Sequence, residues 1–72
     1  MSKYLLAVCF PEEIPQIIGT HARNMDDAEN RFMHSITESC DLDVASDWDE
    51  FLEIAYNADI LIGEINSIEE FE

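Results

Sequence analysis

The sequence predicts an α+β domain: a small three-stranded antiparallel sheet with two helices across one face, in the order β-β-α-α-β. Three observations predict it. Apolar runs of strand length lie near both ends of the chain. Two segments between them carry apolar residues at helical spacing. Each of those segments follows a residue suited to capping a helix. Seventy-two residues allow one domain at most, 1–72. A domain of this size buries only about 60 % of the surface its unfolded chain exposes, so its margin of stability is small.

The first strand is expected over about 3–10. Tyr4 to Phe10 is apolar on both faces, as in a central strand, and Pro11 ends it. The segment Pro11-Glu12-Glu13-Ile14-Pro15 reads as a loop, because each proline lacks an N–H and pushes its predecessor to extended geometry. QIIGTHAR, 16–23, reads as a second strand paired to the first in a hairpin, with Gly19 as a bulge.

Asn24 is expected to cap a helix over about 25–39, with Asp26 and Asp27 at the positive end of its dipole. Met25, Ala28, Phe32, Ile36 and Ser39 form its inner face, and Asp27 with Arg31 makes an i,i+4 pair. Ser46 is read as the next cap, with Asp49 at the third helical position, for a helix over about 47–57 ending at Asn57. Trp48, Phe51, Leu52 and Ala55 form its apolar stripe, with Trp48 read as a core residue in preference to a half-exposed partner anchor. Asp49, Glu50 and Glu53 share a solvent face, and Tyr56 sits on its flank, placed to join a partner site.

The third strand is expected over 58–65, ADILIGEI. Simple alternation sends Ile60 and Ile62 one way and Leu61 and Ile65 the other. Residues 66–72 read as an acidic tail with Ile68 and Phe71 as anchors. With both helices on one face, the other face exposes some of Leu5, Ala7, Ile17, Leu61 and Ile65. Such an apolar patch points to an interface, and a homodimer is the simplest use of it.

Charge is the extreme feature. The chain carries 17 acids against three bases, a net charge of −14. Residues 1–37 hold five acids and all three bases, a net of −2. Residues 38–72 hold twelve acids and no base, a net of −12. The density is highest in DLDVASDWDEFLE, 41–53, where six of thirteen residues are acidic. The sign argues against direct binding to nucleic acid or to anionic lipid, since both are negative. It calls for a basic partner.

Other chemistries fit the residues poorly. An EF-hand loop starting at Asp41 would find Asp43 and Asp49 at ligand positions. It would also find Ala45, Ser46 and Leu52 where an oxygen ligand, the turn glycine and the bidentate glutamate are needed. His21, His34, Cys9 and Cys40 are too irregularly spaced for zinc. So negative a chain disfavours a nucleophilic thiolate, and both cysteines read as reduced. Gly19 and Gly63 are the only glycines and make no phosphate-binding loop. No enzyme, metal or cofactor is expected. The run after Lys3 is too short for a secretory or membrane segment, so a cytoplasmic protein is expected.

A short, strongly acidic chain with clusters such as DLDVASDWDE and EINSIEEFE resembles the phage-encoded DNA-mimic inhibitors, among them anti-CRISPR and anti-restriction proteins. The resemblance lies in size, charge and layout across the whole chain, with no signature motif. It implies a non-enzymatic inhibitor in the host cell cytoplasm, binding a basic DNA- or RNA-handling complex and blocking DNA access, with an anti-CRISPR role favoured. The alternative is a small dimeric interaction or adaptor module using the apolar sheet face. From the residues themselves, the expected partner-binding set is Asp41, Asp43, Asp47, Asp49, Glu50 and Glu53, then Asp59 and Glu64. Asp41, Asp43, Glu50 and Glu53 are those with no structural role apparent in the sequence.

Overall fold

A computed structural model describes residues 2–68. It contains β1 (Ser2–Cys9), β2 (Gln16–Ala22), α1 (Met25–Cys40), α2 (Trp48–Asn57) and β3 (Leu61–Ile68). The sheet order is β2-β1-β3 and both pairings are antiparallel. The expected class and element order are therefore present. No helix among the described residues is long and apolar enough to cross a membrane.

β1 is the central strand because its alternate residues can be covered on one face. Tyr4, Leu6 and Val8 point under the helices and are buried. α1 lies over β2, and α2 lies against β3 and α1. Ala28, Phe32 and Ile36 from α1, Phe51 and Ala55 from α2, and Ala22, Ala45 and Ile60 complete the core of the described residues. Met25 and Ser39, expected on the inner face of α1, are exposed. Both share the angular position of the stripe, but they sit at its two ends.

The hairpin turns on Pro11 and Glu12. The Glu13 N–H donates to the Phe10 carbonyl at 3.2 Å, and Glu12 has φ 61°. Pro at the second position and a positive φ at the third are the marks of a type II turn. Gly19 is no bulge: it pairs with Leu5 in an unbroken register.

The bulge is in β3 instead. Leu6 pairs with Ile65, but Val8 pairs with Ile62. Gly63 and Glu64 together therefore oppose Ala7. The extra residue shifts the alternation by one, so Ile62 and Ile65 both face the helices and pack on the core. Ile65 thus leaves the open face to which simple alternation assigned it. The strand also starts later than expected. Residues 58–60 form the turn that ends α2, with Asp59 at φ 62° and its N–H on the Tyr56 carbonyl at 3.0 Å. Residues 66–68, assigned to a tail, belong to β3. Residues 69–72, with Phe71, lie outside the described residues.

The two helices begin alike. At α1, Asn24 Oδ1 accepts from the Asp27 N–H at 2.8 Å, and Asp27 Oδ2 accepts from the Arg23 N–H at 3.0 Å. At α2, Asp47 Oδ1 accepts from the Glu50 N–H at 2.8 Å. Glu50 then reaches back to Ser46, taking its N–H at 3.1 Å and its hydroxyl at 3.3 Å. Asp47 rather than Ser46 is the cap, and Glu50 rather than Asp49 closes the motif. Counted from Asp47, Glu50 holds the third helical position, as Asp27 does from Asn24. Asp47→Ala is expected to cost about 1 kcal/mol and Ser46→Ala clearly less. Urea unfolding of the two variants would decide, and equal losses would return the cap to Ser46.

Candidate functional site

All eight residues of the expected partner set are exposed, but they are not equivalent. Asp47 and Glu50 are engaged in starting α2. Asp41 ends α1 in the left-handed region, φ 53°, with its own N–H and that of Leu42 turned onto the Thr37 carbonyl. Asp59 holds the turn after α2. Asp tolerates this conformation better than most side chains, so local backbone geometry accounts for the residue type at both positions. Asp43, Asp49, Glu53 and Glu64 remain. Asp49 benefits from the helix N-terminus. The other three have no structural role that we can identify.

The acids surround α2 rather than forming one motif. Asp41 and Asp43 share a shallow hollow with Ile54, Asn57 and Ala58 at its C-terminal half. Glu64 lies at its first turns, in a groove with Trp48 and Leu52. A ten-residue helix is about 15 Å long. Duplex DNA carries about nine charges over such a length, at one per roughly 1.7 Å.

Asp27 of α1 is paired with two arginines, whereas the stretch from residue 38 onward holds no base. Asp27 Oδ2 lies 3.2 Å from Arg31 Nε and 3.6 Å from Arg23 Nε, and His34 lies 3.5 Å from Glu38. The Arg23 backbone N–H, followed by the Arg31 hydrogen bond and charge, holds the Asp27 carboxyl below its ordinary range. A lowered folded-state pKa means that Asp27 stabilises the fold above the ordinary aspartate value, about 3.9. That stabilisation is lost as pH falls through the folded value. Asp27→Asn is thus expected to lower the melting temperature at pH 7 and to flatten its decline below pH 4. An unchanged acid limb would remove Asp27 as its source.

Glu29 shows the opposite shift. Partial burial, then the negative charges of Asp26 and Asp49, raise its carboxyl above the ordinary range. Sequence reasoning placed Glu29 in the near-neutral half of the chain. Only the packing of α1 on α2 brings it to the acidic surface. Val44, beside Asp43, is 86 % exposed, and Tyr56 is 70 % exposed. Both add apolar surface among the acids. Val44 was missed because a lone valine in a loop carries no periodic signal.

Among the described residues, no three His, Cys, Asp or Glu side chains converge to hold a metal ion. Comparison with known proteins adds no further assignment: no family model, curated protein or solved structure matches the chain.

Proposed function

We propose that this chain is a non-enzymatic acidic inhibitor. It binds a basic nucleic-acid-handling protein and blocks DNA access by presenting carboxylates in place of phosphates. The favoured case is an anti-CRISPR protein acting on a CRISPR effector complex in the host cytoplasm. The observation that carries this reading is the group of eight exposed carboxylates around α2, in a stretch from residue 38 onward that has no base. A groove shaped and charged to hold a duplex attracts such a surface through the same long-range field.

The test is displacement of labelled DNA from a purified effector complex. The wild-type chain is expected to compete. The Asp43→Lys, Glu53→Lys double variant is expected to compete at least about tenfold less well, since like charges then face each other across the interface. Equal competition by the two chains, or none by the wild type, would overturn the reading.

A second reading rests on the open sheet face. Ile17 and Leu61 are 72 % and 58 % exposed there, beside Leu5 and Ala7. A dimer through this face predicts that Ile17→Lys and Leu61→Lys abolish function while the acidic variants retain it. Sedimentation of a monomer at high concentration would exclude it.

A further inference from the structure

Two grooves of similar size flank the helices, and their charges differ. One, about 460 Å³, lies between α1 and residues 44–45 and contains Arg31 and His34, the wrong sign for a basic partner. The other, about 470 Å³, lies where α1, α2 and β3 meet. Met25, Trp48, Leu52, Ile62 and Ile65 give it apolar walls, while Glu29 and Glu64 supply carboxylates. Trp48 is half-buried, and its ring is 5.2 Å from that of Phe51 in the core. The indole is thus braced from below by a fully buried side chain.

We propose that this groove takes one arginine side chain of the basic partner, its stem along Trp48 and Leu52 and its guanidinium between Glu29 and Glu64. The inference rests on the inhibitor reading and names its anchor point. An arginine fits better than a lysine, because its planar head stacks on an indole face and forks to carboxylates. An apolar side chain would leave Glu29 and Glu64 unpaired beside it. Charge complementarity is sharpest here because Glu29 is partly desolvated and the charged groups acting on it, Asp26 and Asp49, are both acidic. An incoming cation relieves that repulsion. The wall residues come from three elements, so the groove exists only in the folded chain.

Trp48 is the only tryptophan and reports on the groove directly. The probe is a short peptide, acetyl-Gly-Arg-Gly-amide, and its isosteric citrulline analogue, followed by Trp48 fluorescence and amide chemical shifts. The arginine peptide is expected to saturate, with shifts concentrated at Met25, Glu29, Trp48, Leu52 and Glu64. The citrulline peptide should bind at least about tenfold more weakly, having lost the charge-assisted bonds. Glu29→Gln with Glu64→Gln should weaken arginine binding by a similar factor. Glu13→Gln, a charge loss at the exposed hairpin outside both the groove and the partner set, should not. Shifts spread evenly over residues 41–59, or equal binding of the two peptides, would overturn the proposal. The two readings fail separately. Localised arginine binding without DNA displacement removes the inhibitor reading, and displacement unaffected by Glu29→Gln with Glu64→Gln removes the groove.

Discussion

Phe51→Ala is expected to leave the domain largely unfolded at 37 °C. Phe51 is fully buried, the largest side chain to be so, and it supports Trp48 while packing into the single core. Truncating a buried phenylalanine costs about 3–5 kcal/mol, through lost burial and the cavity left behind. A chain of 72 residues has roughly 4–11 kcal/mol of stability in total. Self-repulsion from the net charge pushes this one toward the lower end. No second hydrophobic cluster among the described residues compensates. Circular dichroism melts of the wild type and variant would measure the effect. A fall of less than about 5 °C, against the roughly 4–8 °C expected per kcal/mol for so small a domain, would show that the core does not depend on this residue.

Salt is expected to act on stability and on binding with opposite signs. The uncompensated acids around α2 repel one another in the folded state, where they are held close together. Screening reduces that repulsion, with a Debye length of about 10 Å at 0.1 M and 3 Å at 1 M. Raising sodium chloride from about 50 to 500 mM should therefore raise the melting temperature. The same screening weakens attraction to a basic partner, and affinity should fall by more than about tenfold over that range. Titration at several salt concentrations, alongside melts in the same buffers, gives both slopes. An affinity independent of salt would remove the electrostatic mechanism. A melting temperature that falls with salt would show that attractive charge pairs, rather than repulsion, dominate the fold.

Elements whose signals are local were legible in the sequence. β1 was fixed by an uninterrupted apolar run and Pro11, and α1 by Asn24 and the Ala28, Phe32, Ile36 spacing. The boundaries of α2 were also close, although its cap was assigned one residue early. Ser46 and Asp47 are both good capping residues, and only the backbone decides between them. β3 was misread for a different reason. Alternation assumes one residue per step, and a bulge breaks that count without leaving a mark that a single sequence reveals. Gly63 marks the bulge, whereas Gly19 sits in an unbroken register. The candidate site was legible as composition but not as arrangement. That residues 38–72 lack any base was plain. That Glu29 joins Asp49, and that Asp41 and Glu50 are occupied with helix ends, depends on contacts between elements.

The bulge at Gly63 and Glu64 also bears on how this chain avoids sticking to itself. β3 is an edge strand, and an exposed edge offers unpaired N–H and C=O groups on which another strand can template. A bulge kinks that edge and interrupts the regular spacing that a fibre needs. Glu64 places a carboxylate at the kink, so a second copy of the edge would meet both a misfit and a like charge. Deleting Gly63 would leave Ile62 and Ile65 facing the core and would straighten the ladder. The monomer would then fold with a flatter edge, trading dispersal at high concentration for a more regular sheet.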